Sequence, residues 1–281
     1  LTVVLQWGDM ELTILGTAAA EAWPAPFCRC ASCQEARRRG GPDVRTRSGS
    51  LLDNDLKIDF NADTVMQMQR ANRDLCDVRT LVFTHQHSDH IVPTELAWAS
   101  GPFTNTPPAE PIAVFGNAPV LEMLNAAFAN PTKANLAFHL LEPLKPVTTP
   151  TGDEILPLPA DHAPGALTLR LTRGGKTLFY GHDSGLYPEE TLAALAEGPT
   201  LDLVLFDCTY GGQKSQNRGH MGVDGVIRMA EELRKRGAVT DTTTLVATHF
   251  SHNGGLMHED LVAAFQPHGI RVAYDGIVLR V

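Results

Sequence analysis

The chain has 281 residues, 43% of them hydrophobic and 20% charged, which supports a full-sized core and excludes a disordered chain. Its formal net charge of −9 speaks against non-specific nucleic-acid binding, which needs an excess of Lys and Arg on one face. No apolar run is long enough to span a bilayer, and Leu1–Leu5 lacks the basic and apolar segments of a secretory leader, so the expected setting is the cytoplasm, without a membrane partner.

Leu12–Leu15 reads as the first strand. Cys28, Cys30 and Cys33 follow within six residues, in a chain with an odd total of five cysteines. Such spacing does not suit a secreted disulfide framework; in a cytosolic chain it suggests a metal clip. Structural zinc wants four ligands, and the residues near the clip offer no fourth. Arg37, Arg38 and Arg39 read as a solvated loop or helix end, and Cys76 and Cys208 as ordinary buried thiols. A strand at Lys57–Phe60, a helix at Ala62–Ala71 and a strand at Thr80–Phe83 come next.

That last strand runs into Thr84-His85-Gln86-His87-Ser88-Asp89-His90. Imidazole and carboxylate are the ligands that zinc and manganese accept. A tight turn here can aim His85 and His87 at one ion, and Asp89 and His90 at a second.

Downstream, strands are expected at Ile112–Phe115, Glu154–Leu158, Leu167–Leu171, Thr177–Tyr180, Leu203–Phe206, Thr244–Ala247, Arg271–Tyr274 and Ile277–Arg280. Helices are expected at Pro119–Ala129, Pro188–Ala196, Val223–Arg234 and His258–Phe265. The Pro-rich stretches Pro102–Pro111 and Pro143–Pro150 read as surface loops, and Gly211–Gly219 as a mobile active-site loop. Hairpins and helical crossovers alternate with no compositional boundary, so residues 1–281 read as a single α+β domain.

The segment HQHSDH at 85–90 resembles the HxHxDH signature of the metallo-β-lactamase superfamily. The resemblance covers nearly the whole chain and implies a four-layer αββα sandwich with metals in a groove at one edge. It also implies the rest of the ligand set. His162 after Glu154–Leu158, Asp183 after Thr177–Tyr180 and His249 after Thr244–Ala247 match the family's next histidine, bridging aspartate and last histidine. One subfamily pairs a CxCxxC insertion with a T-H-x-S-H segment whose second histidine closes a structural zinc site. Thr248–His252 fits that segment, so His252 is implied as fourth ligand to Cys28, Cys30 and Cys33.

The implied cofactors are thus two divalent ions, zinc or manganese, at the active site, and one structural zinc. With Asp89, Asp183 and a bridging hydroxide, the active-site charge sums to about +1, which suits a small anionic substrate. The motifs together resemble the phosphoribosyl cyclic-phosphate phosphodiesterases of phosphonate catabolism. The expected activity is hydrolysis of a small phosphodiester, a cyclic ribose phosphate, through the metal-bridging hydroxide. Asp89 orients or deprotonates the water, and His220, after the Gly-rich loop, serves the leaving oxygen or phosphate. His182 stands where that family has a small residue and reads as a support to the ligands; His139, His258 and His268 read as surface residues.

Two alternatives stay open. One is a metal-dependent hydrolase of a carbonyl substrate such as a lactone or thioester. The other is a non-hydrolytic protein like that of pyrroloquinoline quinone biosynthesis, which shares the cysteine clip but has a depleted catalytic motif. A homodimer is left open.

Overall fold

The computed structural model describes residues 10–281; Leu1–Leu5, read above for a leader, lies outside the described residues. In chain order, β1 (Glu11–Gly16), β2 (Gly49–Leu52), β3 (Leu56–Ile58), β4 (Thr80–Val82), β5 (Ile112–Gly116) and β6 (Leu136–Leu140) belong to one sheet. A second sheet holds β7 (Val147–Thr148), β8 (Glu154–Pro159), β9 (Leu167–Arg173), β10 (Lys176–Gly181), β11 (Leu203–Asp207), β12 (Thr244–Thr248) and β13 (Ile270–Val272). The chain then returns to the first sheet as β14 (Ile277–Arg280), beside β1. The sheet orders are β14-β1-β2-β3-β4-β5-β6 and β13-β12-β11-β10-β9-β8-β7.

Each sheet is antiparallel at one end and parallel at the other. The pairs β3–β4, β4–β5 and β5–β6 are parallel, as are β10–β11, β11–β12 and β12–β13. Parallel neighbours require crossovers, which supply the helices. The helices α2 (Thr64–Ala71) and α3 (Ala118–Ala127) cover the outer face of the first sheet. The second sheet is covered by α1 (Ala31–Arg39), α4 (Glu189–Glu197), α5 (Val223–Lys235) and α6 (His258–Phe265). The result is the four-layer αββα sandwich.

Strand periodicity explains the layering. Leu203 and Leu205 of β11 face the core between the sheets, while Val204 and Phe206 face the helices. A strand covered on both faces therefore reads as a continuous apolar run. Salt bridges also join the sheets. Arg173, at the end of β9, contacts Asp153 at 2.6 Å, Asp55 at 2.7 Å and Asp53 at 2.9 Å, the last two in the β2–β3 turn.

Several expectations need correction. The helix placed at Ala62–Ala71 begins at Thr64, because Asp63 turns its carboxylate to the backbone and guanidinium of Arg47 instead of capping the helix. Cys76 is exposed, not buried; Cys208 is buried. His258 is half-buried rather than a surface residue, and its Nδ1 lies 3.0 Å from Nη2 of the buried Arg45. His268 is also half-buried, whereas His139 is exposed. The Arg37–Arg39 cluster is the last turn of α1, where cations complement the helix dipole.

Candidate metal centre

The C-terminal ends of β3, β4, β8, β10, β11 and β12 lie along one edge of the sandwich, since β8 and β10 both run antiparallel to β9. Chemistry-bearing residues follow each of these ends. Three of them, Asp59 (φ 56°), Asp183 (φ 54°) and His249 (φ 59°), have left-handed backbone conformations. Non-glycine residues adopt that region at a cost, which concentrates at functional sites. The sharp turn it produces ends the strand and aims the side chain across the edge.

Two groups of donors meet there. In the first, His85 Nε2 lies 2.9 Å and His162 Nε2 3.1 Å from His87 Nδ1. In the second, His90 Nε2 lies 3.2 Å from Asp89 Oδ2, and His249 Nε2 lies 4.0 Å from the same oxygen. Asp183 stands between the groups. Its Oδ2 is 2.8 Å from His90 Nε2 and 3.1 Å from His249 Nε2, while its Oδ1 is 3.7 Å from His162 Nε2. His85, His90, Asp183 and His249 form the buried floor, and His87 and His162 open to solvent.

The far nitrogens of the imidazoles are held. His85 Nδ1 meets Thr84 Oγ1 at 3.1 Å, and His162 Nδ1 meets the Gly219 carbonyl at 3.0 Å. His90 Nδ1 is 2.7 Å from Asp59 Oδ2, and His249 Nδ1 is 2.9 Å from Thr209 Oγ1 and 3.4 Å from Asp207 Oδ2. Holding one ring nitrogen fixes the tautomer and rotation that present the other to a cation. Sequence reasoning missed Asp59, Asp207 and Thr209. Asp207 carries the same signal as the ligands it found, a lone carboxylate closing the apolar strand Leu203–Phe206, whereas Asp59 was hidden inside the expected strand Lys57–Phe60.

The electrostatics divide along the same line. Burial pushes the His85 and His162 imidazoles below their usual range, so their lone pairs stay free. Burial acts the same way on His90 and His249, but Asp183, together with Asp59 or Asp207, overrides it and raises both. Burial works to raise Asp183 and Asp89, yet His249 and His90 hold both below the ordinary carboxylate range.

His90 Nε2, His249 Nε2 and Asp183 Oδ2 are buried and make no hydrogen bond of acceptable geometry. Buried polar atoms of this kind are costly unless something takes their lone pairs. Imidazole and carboxylate donors gathered at such distances fit divalent cations.

His220 overhangs the cluster. Its Nδ1 lies 2.8 Å from Asp207 Oδ2, and its ring stacks on His249 with centroids 5.7 Å apart. Burial lowers its pKa, but Asp207 outweighs burial and lifts it to about 9. The Gly211–Gly219 segment carrying it is tied down. Asn217 accepts from the Gly222 amide at 2.8 Å, its carbonyl accepts from Leu186, and Asp161 accepts from the Gly219 amide at 3.2 Å. His182 is fully buried, 3.4 Å from Ser48 Oγ and off the donor cluster, and burial brings its pKa down to about 3.

The cysteine group lies apart from this edge cluster. Cys28, Cys30, Cys33 and His252 offer ligand atoms within 4.8 Å of one another, with His252 Nδ1 at 3.5 Å from Cys30 Sγ and 3.8 Å from Cys28 Sγ. The amide of Cys33 is the main influence lowering the Cys30 thiol, and thiolate is the form that binds zinc. His252 and His249 are joined by only two residues, Phe250 and Ser251, so the two groups are mechanically linked.

The model of the beta-lactamase superfamily domain matches residues 57–250. The chain belongs to the metallo-β-lactamase superfamily. Within this superfamily it is similar to the coenzyme PQQ synthesis protein B of Azoarcus sp. (strain BH72), 26% identical over 311 aligned positions that cover 96% of this chain and 99% of the relative. Among solved structures it resembles a diphosphatase of the PhnP family, with a TM-score of 0.76, 21% identity and 97% of each chain covered. It also resembles zinc-bound PqqB from Methylobacterium extorquens, with a TM-score of 0.76, 17% identity, and 96% and 99% covered. These structural likenesses show the fold. No helix among the described residues is long and apolar enough to cross a membrane.

Proposed function

We propose that the chain is a two-metal phosphodiesterase acting on a small anionic substrate, a cyclic ribose phosphate being the preferred candidate. The observation that carries this reading is the complete donor set. His85, His87 and His162 would hold one cation, Asp89, His90 and His249 the other, and Asp183 presents one oxygen to each group. Bound divalent cations would supply activated water at neutral pH and neutralise phosphoryl charge.

The chain's own groups account for the rest. Asp89, held below the ordinary carboxylate range, accepts a hydrogen bond from the attacking water and orients it. His220 has its Nδ1 occupied by Asp207, which leaves Nε2 as the free nitrogen. As a protonated imidazole it contacts the phosphate and delivers a proton to the leaving oxygen. The open side at His87 and His162 admits a substrate, and the buried floor excludes bulk water from the face opposite.

Cys28, Cys30, Cys33 and His252 are proposed to hold a structural zinc, on the chemistry of their donors. A second reading is favoured by one observation: the PQQ synthesis relatives match along their full length. On that reading the same centre serves a step of cofactor synthesis and not phosphodiester hydrolysis. The deciding experiment incubates the manganese- or zinc-loaded protein with bis-p-nitrophenyl phosphate, a five-membered ribose cyclic phosphate and a lactone. Turnover of the phosphodiesters with preference for the cyclic one supports the proposal. Turnover of the lactone alone, or of none, removes it.

A further inference from the structure

Lys57 occupies a central strand and is fully buried, a place where lysine is almost never found without a purpose. It pairs in register with Leu51 on one side and Leu81 on the other, so a leucine-like residue would fit the strand. Its ammonium instead turns back on its own chain. Nζ donates to the carbonyl of Ile58 at 3.0 Å and to the carbonyl of Asp59. Gly49 leaves the room for this, because a Cβ there would stand 3.0 Å from Nζ.

These two carbonyls flank the left-handed turn at Asp59. In that turn the Asp59 carboxylate accepts from the Thr84 amide at 2.9 Å and meets His90 Nδ1 at 2.7 Å. The following residue pins the same ligand from the other side: the Phe60 amide donates to the His90 carbonyl at 2.8 Å. A strained turn persists only where its surroundings over-determine it. Here a buried cation on two consecutive carbonyls is one such determinant.

We infer that Lys57 is a positioning residue of the metal centre, locking the Asp59 turn so that Asp59 holds His90 in register with Asp89, Asp183 and His249. The effect falls most directly on the His90 half of the centre; the other half is reached only through Thr84, whose Oγ1 lies 3.1 Å from Asp59 Oδ2 and 3.1 Å from His85 Nδ1. No hydrogen bond runs from Lys57 to His85, His87 or His162 among the described residues. The inference rests on the two-metal reading above.

The test compares wild type with Lys57→Met and Gly49→Ala, the second of which keeps the ammonium but crowds it. Metal-free protein with its cysteine clip reloaded is titrated with zinc and with manganese, and both binding steps are measured beside the melting temperature. The nitrogen NMR signature of the His90 Nδ1–H···Asp59 hydrogen bond is recorded on the metal-free protein. Lys57→Met is expected to weaken one step by about 10–100-fold, the range for losing an outer partner of a metal ligand, leave the other within about twofold, and lose the signature. Gly49→Ala is expected to move the same step by a smaller factor.

Equal weakening of both steps, or a lower melting temperature with their ratio unchanged, assigns Lys57 a merely structural role and overturns the inference. If Lys57→Met does not fold, Gly49→Ala decides: an unchanged ratio and an intact signature overturn it. A wild type that takes up no second ion removes the two-metal reading as well. A wild type with two steps and variants with unaltered steps removes this inference alone.

Discussion

Replacing Asp59 by Asn tests the support of the metal centre directly. Asp59 and His90 are both fully buried, and their contact is 2.7 Å long. One carboxylate oxygen takes His90 while the other takes the Thr84 amide, so the position needs two acceptors. Asn offers one acceptor and one donor. With its oxygen toward His90, its NH2 meets the Thr84 N–H; flipped, its NH2 selects the His90 tautomer whose proton sits on Nε2, facing the cation. A hydrogen bond to a charged group contributes about 1.5–3 kcal/mol. At about 1.4 kcal/mol per factor of ten, that is roughly 10–150-fold in affinity for the cation held by His90. Outer partners of metal ligands independently cost about 10–100-fold, so the two magnitudes agree. The assay is metal titration of the clip-loaded protein, with phosphodiesterase rate followed at limiting and excess metal. The expected outcome is one step weakened more than the other, which Asp59 touches only through Thr84, and a rate largely restored by excess metal. Affinity within about threefold of wild type would refute the reasoning.

Other perturbations separate the parts of the molecule. Cys30→Ser should lose about one metal equivalent per chain by elemental analysis and lower the melting temperature, because structural metal binding is folding energy; unchanged metal content contradicts it. His220→Asn should slow hydrolysis by about 10²–10³-fold with alkoxide leaving groups and far less with p-nitrophenolate, which needs no proton. Equal losses on both would deny His220 the acid role. Arg173→Met should cost about 2–3 kcal/mol in urea unfolding, discounting for partial exposure, because it strands carboxylates of both sheets. Burial tends to raise Asp153, but Arg173 dominates and depresses it, so that stabilisation is complete above the unfolded value near 4 and fades as pH falls through the native one. The gap between wild type and variant should therefore narrow below about pH 4, and a gap independent of pH would count against the clamp.

The parts of the site that were legible in sequence share one feature. HQHSDH, His162, Asp183 and His249 each follow an apolar strand, and the structure gathers them at one sheet edge because parallel strands bring their C-terminal ends together. Asp59 and Lys57 were illegible for the converse reason. They stand inside the expected strand run Lys57–Phe60, where a polar residue reads as a solvent-facing alternate. Lys57 in particular has no signature short of the carbonyls it caps. β2 escaped notice because Gly49-Ser50-Leu51-Leu52 is buried throughout and shows no alternation, and β7 is only two residues long. α1 was missed because it buries only Cys33 and Ala36 and otherwise carries polar side chains. His249 and His252 reach different donor groups through the left-handed turn at His249, which spacing alone does not reveal.

The most direct measurement is a crystal structure of the zinc-loaded protein with anomalous differences collected at the zinc edge. The account predicts a pair of peaks about 3.5–4 Å apart on either side of Asp183, and a separate peak among Cys28, Cys30, Cys33 and His252. A single peak, or none, between His85 and His249 would contradict it.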